Sequence, residues 1–260
     1  MSDAERRAQA ERFGDYFELQ IGFAELMAAR TGLSLEEALG RYTNLRRRFA
    51  APDEDDPRWR GFLAAARTAR DAAERRRIAQ AVYAASPEEP LGAGQTGFGC
   101  FACEAVGEDG TVRLHFHSKD PLGPIARDRM AARRAEMREM FAFLLRTAPH
   151  ARRVQGRSWL YHLEAYRRLY PATYADSRRP AEGPMRLNGS STWGQFIDRD
   201  GRVKADVRAR FLAGLDRLDV ERPWLAFPLQ PLAVEAPIAA FHALLELPAP
   251  EDPPERIAKP

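Results

Sequence analysis

Lysine is nearly missing from this chain: of 40 basic residues only Lys119, Lys204 and Lys259 are lysines, and the rest are arginines. The arginines alternate with acids, as in AERRAQAER and ARDAAERRR, so the net charge is only +3 and belongs to ion-paired helix faces. That pattern argues against a nucleic-acid partner. Cysteine is also scarce. Cys100 and Cys103 are the two present, and at that spacing in one strand they point to opposite faces, which argues against a mutual disulfide and fits a reducing compartment. No apolar run approaches the ~20 residues that span a bilayer, and the opening MSDAERRAQAER has no hydrophobic segment of the secretory type. These absences lead us to expect a cytoplasmic protein with no membrane partner. What is present is core material: 45% hydrophobic residues over 260 positions, with four Trp and fourteen Phe.

Residues 1–90 read as helical. Phe13, Tyr16, Phe17, Gln20, Ile21, Ala24 and Met27 recur at three- and four-residue steps, predicting a long amphipathic helix that ends near Thr31-Gly32. Ser34 and Glu37 then form a capping box for a second helix. Pro52 to Pro57 reads as a loop, and Trp59 to Ala85 as one or two further helices. From Ser86 the composition shifts to Pro and Gly, which marks a boundary. Residues 91–247 mix strands with helices and read as one mixed α/β domain. They hold a helix over about Ile125 to Thr147, a strand within RVQGRSWLY, short strands at Met185 to Leu187 and Thr192 to Ile197, and helices at Val203 to Leu218 and Pro237 to Leu245. Residues 248–260 form a Pro-rich tail that should fray. The fold class expected is α+β, a helical N-terminal region followed by a domain that begins with an antiparallel hairpin.

That hairpin is the most reactive stretch. FGCFACEAV and TVRLHFHS flank the turn Gly107-Glu108-Asp109-Gly110, and pairing Val106 with Thr111 sets Glu104 opposite Arg113, Ala102 opposite His115 and Cys100 opposite His117. His115 and His117 are the leading candidates for general acid or base. Cys100 with His117 would also suit a metal or a nucleophilic pair, although no second Cys/His cluster supplies the remaining ligands. Gly92 to Gly97 spells G-x-G-x-x-G but precedes a strand instead of opening a helix, so it reads as a linker and not as a dinucleotide site. Two further clusters set a Trp beside small polar residues, as a pocket wall does: Ser158, Trp159 and His162, then Ser191, Trp193 and Gln195. With Arg113 they make up the expected ligand-binding set.

LHFHSKDPLG, a long helix, RVQGRSWLY, RRLYP and RLNGSSTWGQFIDRDG follow one another in an order that resembles bacterial GNAT-type acyltransferase-like proteins with a helical N-terminal domain. The resemblance covers about residues 112 to 215 and rests on His115 or His117, Ser158, Trp159 and Leu160. It implies a GNAT-like domain, a coenzyme A thioester as donor, and acyl transfer to an amine or alcohol, with His115 or His117 as base and Ser158 at the oxyanion. The chain lacks the family's Arg or Gln followed by two glycines ahead of a helix, the loop that holds the coenzyme A pyrophosphate. The competing expectations are a non-enzymatic protein that binds a small ligand or a partner in the same cleft, and a Cys100/His117 metal site.

Overall fold

Side-chain caps set the starts of the N-terminal helices. Ser2 with Glu5 and Ser34 with Glu37 close reciprocal capping boxes on α1 (Asp3–Arg12) and α3 (Leu35–Tyr42), and Asp56 and Asp71 cap α5 (Pro57–Thr68) and α6 (Ala72–Ala85). Between them lie α2 (Gly14–Thr31), stopped by Gly32 at φ +75°, and the single turn α4 (Leu45–Arg48). The expected amphipathic helix ending near Thr31-Gly32 is α2, and α1 precedes it across a break at Phe13, whose ring is buried among those of Tyr16, Phe17 and Tyr83. The computed structural model describes residues 2–88, 91–92, 94–117, 120, 123–183 and 185–249. No helix among them is long and apolar enough to cross a membrane.

The chain divides into two compact units, and the division is not the one expected. Residues 183–230 pack with residues 1–90, leaving 91–182 and 231–260 as the second unit. Aromatic packing accounts for this: Phe23 of α2 lies 5.4 to 5.9 Å, centroid to centroid, from Trp193, Phe211 and Phe227. The strands expected at Met185 to Leu187 and Thr192 to Ile197 are absent among the described residues. Residues 190–193 form α10 (Ser190–Trp193), a 3₁₀ turn follows at Gly194–Phe196, and Ile197 makes only an isolated bridge to Val203. Short apolar runs of this kind do not distinguish strand from helix by period. α11 (Ala205–Leu215) completes the helical unit.

The second unit is built on one mixed sheet in the order β1-β2-β3-β4-β6-β5, which makes the fold α+β. Its strands are β1 (Gln95–Phe98), β2 (Phe101–Glu104), β3 (Thr111–Phe116), β4 (Arg153–Ser158), β5 (Arg179–Pro180) and β6 (Leu232–Pro237). FGCFACEAV is not one strand but parts of two, because Gly99 at φ +59° and Cys100 turn the chain between Phe98 and Phe101. A Cβ at Gly99 would collide with the Glu136 carboxyl, whose Oε2 accepts the Cys100 N–H at 2.9 Å, so glycine is required there on two counts. The stretch read as a glycine-rich linker supplies β1, and β6 is a strand that the sequence reading missed. Ser118, Lys119, Pro121 and Leu122 lie outside the described residues, and so do residues 250–260 of the expected frayed tail.

All neighbouring strands pair antiparallel except β3 with β4, which are parallel and are joined through α7 (Met130–Thr147). Strand alternation then divides the sheet. Val112, Leu114, Val154, Val234 and Ala236 point to a core shared with Met137, Met140, Phe141 and Leu144 of α7 and Phe241 of α12 (Ile238–Leu244). Phe141 and Phe241 stack at 4.7 Å. Four tyrosines fill the rest: Tyr161, Tyr166 in α8 (Glu164–Arg167), Tyr170, and Tyr174 in α9 (Ala172–Asp176). The Tyr161 and Tyr174 hydroxyls bond each other at 3.0 Å directly over Gly156, where any Cβ would strike both oxygens.

Candidate functional site

The opposite face of the sheet is polar. Registers place Glu104, Arg113, His115, Arg153, Gln155, Arg157, Arg179 and Glu235 on one side, and the arginines among them are exposed. Within this face Glu104 and His115 form a dyad, with Nε2 of His115 2.7 Å from Oε1 of Glu104. A carboxylate only accepts, so in the neutral ring the proton sits on Nε2 and the lone pair on Nδ1. The register Ala102 opposite His115 is as the alternation predicts. Glu104 bonds the histidine two residues beyond Arg113 on β3, a diagonal reach that long side chains allow. Gln155 and Arg179 both reach Glu235, at 3.2 and 3.5 Å.

His115 stands beside a break in the sheet. β3 and β4 pair at only three positions, Thr111 with Arg153, Val112 with Val154 and Arg113 with Gln155. Beyond them β3 runs on to Phe116 against β2, and β4 to Ser158 against β6, with no paired positions between the two. The gap opens at the carboxyl ends of two parallel strands joined by a helix, where such sheets form their ligand crevices. Aromatic rings back it from the core side: Phe116 meets Tyr166 edge-on at 5.1 Å, and Gly156 lies against Tyr161.

The start of α7 is held by a charge cluster that the sequence reading did not single out. Asp120 Oδ2 accepts from Arg129 at 2.7 Å and from Arg133 at 3.2 Å, and Arg133 also reaches Glu136 at 2.8 Å and donates to the Cys100 thiol. Arg133 is 3% exposed, and these two carboxylates balance its buried charge. The backbone N–H of His117 donates to the Cys100 carbonyl at 2.8 Å, which places the pair side by side as the register requires. Among the described residues no group of three or more His, Cys, Asp or Glu is placed to hold a metal ion. Cys103 faces the core, and burial pushes its thiol up to about 11, so it is not a nucleophile at neutral pH.

The remaining expected residues do not converge on His115. Ser158 falls on the core-facing side of β4, and its Oγ accepts the Leu160 N–H at 3.1 Å as the cap of a 3₁₀ turn. Trp159 is buried in that turn, and His162, at its end, is exposed. Trp193 and Gln195 belong to the helical unit and are fully buried, so their reading as pocket walls is corrected to packing. Trp193 Nε1 donates to the Tyr42 carbonyl at 3.1 Å. The Gln195 amide bonds the Thr192 and Leu229 carbonyls and the Leu229 N–H. Ser191 lies in α10, and its side chain is outside the described set. The helical unit also carries a groove lined by Glu18, Phe23, Arg76, Arg208 and Leu212. That unit contains no histidine or cysteine to act as nucleophile or base near neutral pH. No family model, curated protein or solved structure matches the chain.

Proposed function

We propose that the second unit transfers an acyl group from a thioester to an amine or alcohol, with the gap between β3 and β4 as the site and His115 as the base. The observation that carries the reading is the Glu104–His115 dyad, whose histidine stands on the stretch of β3 that β4 leaves unpaired. The acceptor attacks the thioester carbonyl, and its proton passes to Nδ1 of His115 while Glu104 steadies the imidazolium formed. The tetrahedral intermediate collapses with cleavage of the C–S bond, and the departing thiolate takes the proton back from Nδ1. Backbone N–H groups along the facing edges of Leu114 to Phe116 and Gly156 to Ser158 are the donors for the oxyanion. Ser158 serves this scheme by capping the turn after β4.

Thiol release from a short acyl-pantetheine thioester, screened with simple amine and alcohol acceptors, tests the proposal, because this donor needs neither a nucleotide nor a protein carrier. His115→Gln should lower kcat by about 10²- to 10⁴-fold, the range for loss of a general base, with its circular dichroism unchanged. Wild-type turnover in His115→Gln, or none in the wild type, would overturn it.

A further inference from the structure

A thioester donor carried on a nucleotide needs its diphosphate held, and helix N-termini do this with their free N–H groups and positive dipole end. Beside the start of α7, the helix that follows β3, the chain already places a carboxylate of its own. Asp120 bonds both Arg129 and Arg133 and is 6% exposed at its side chain. Its negative charge would repel a diphosphate brought to the same turn.

The cations left open to solvent lie on the sheet face instead. Arg157 of β4 and Arg179 of β5 both pair with or flank Ala233 of β6, in the row that continues from His115. They stand two strands apart, roughly 10 Å at the backbone. With Arg113 and Arg153 they outnumber Glu104 and Glu235 on this face. The Glu104 charge is committed to His115, and Glu235 bonds Gln155 and Arg179. No Phe, Tyr or Trp lies among the registered positions of the face, so it lacks the row of large rings on which single-stranded nucleic acids stack. Spaced, exposed arginines with interspersed amide and acid groups complement a folded acidic surface.

We propose that the acyl donor reaches the site on a small acidic carrier protein, which docks on the polar sheet face through Arg157 and Arg179 and presents its thioester at the gap. The inference rests on the acyl-transfer reading for the donor's role, while the docking is measurable by itself. The probe is a bacterial acyl carrier protein bearing phosphopantetheine, titrated against the full chain by calorimetry at 50 and 300 mM salt. The expected result is binding that weakens at least tenfold at the higher salt and falls at least tenfold in Arg157→Glu/Arg179→Glu, while turnover of the free pantetheine thioester stays at the wild-type rate in Arg179→Glu alone. Carrier binding that is absent, or equal in wild type and double variant, would overturn the docking even if the small thioester is turned over. So would tighter binding of single-stranded RNA, lost in the same double variant. Carrier binding without turnover of the pantetheine thioester would leave the docking face and overturn the donor role.

Discussion

Trp193→Ala is expected to destabilise the protein by about 3–5 kcal/mol, the range for removing a large aromatic side chain from a closed core. The indole is fully buried, with Phe23, Phe196, Phe211 and Phe227 at centroid distances of 4.9 to 5.9 Å. Its N–H also satisfies the carbonyl at the end of α3, so the alanine variant both opens a cavity and leaves the Tyr42 carbonyl without this donor. Trp193→Phe keeps most of the volume and should cost less than half as much. Urea unfolding followed by circular dichroism measures both. A variant that loses less than 1 kcal/mol and instead fails to bind thioester would return Trp193 to the pocket-wall role that its neighbours in sequence suggest.

The second large effect is an alkaline transition in the sheet unit. Burial pushes the Tyr161 hydroxyl up to about 12, an effect the hydrogen bond with Tyr174 partly opposes, and it holds Tyr166, Tyr170 and Tyr174 well above the usual phenol range. In the unfolded chain the same groups ionise near 10. Above that pH the unfolded state binds fewer protons than the folded one, so stability falls as pH rises. Its full contribution is present below pH 10 and is lost as the pH rises from about 10 to the folded-state values, about 12 for Tyr161. Each tyrosine contributes about 1.4 kcal/mol per pH unit in that window, and four acting together about 5. The unfolding free energy should therefore drop steeply between pH 10 and 11.5, with tyrosinate absorbance appearing as the unit opens. Tyr161→Phe and Tyr174→Phe should each remove about a quarter of the slope. Stability that stays level to pH 11 while these tyrosines titrate near 10 would contradict the packing described.

How much of this could be read from the chain depended on how local the cause was. The Ser34–Glu37 box and the register of Ala102 with His115 follow from residues three apart and from strict alternation, and both stand in the structure. The turn at Gly99 was hidden because Gly-Cys sits inside an alternating run, and what forces it is Glu136, 37 residues on. β6 is six residues bounded by prolines, LAVEAP, too short for its period to register, and its absence from the reading hid the face on which Arg157, Arg179 and Glu235 meet. The placement of residues 183–230 with α2 is set by ring contacts across more than 150 positions, which no local pattern encodes. At the site, the histidine was legible from its strand face. Its partner was not, because Glu104 bonds diagonally to His115.

The most direct test of the central claim is two-dimensional NMR of the protein with ¹⁵N-labelled histidine and backbone, titrated with a short acyl-pantetheine thioester. The account predicts that His115 starts with its proton on Nε2, and that on titration its ring signals shift together with the amides of Leu114 to Phe116 and Gly156 to Ser158. Shifts confined to the groove residues Phe23, Arg76 and Leu212, with His115 unmoved, would contradict it.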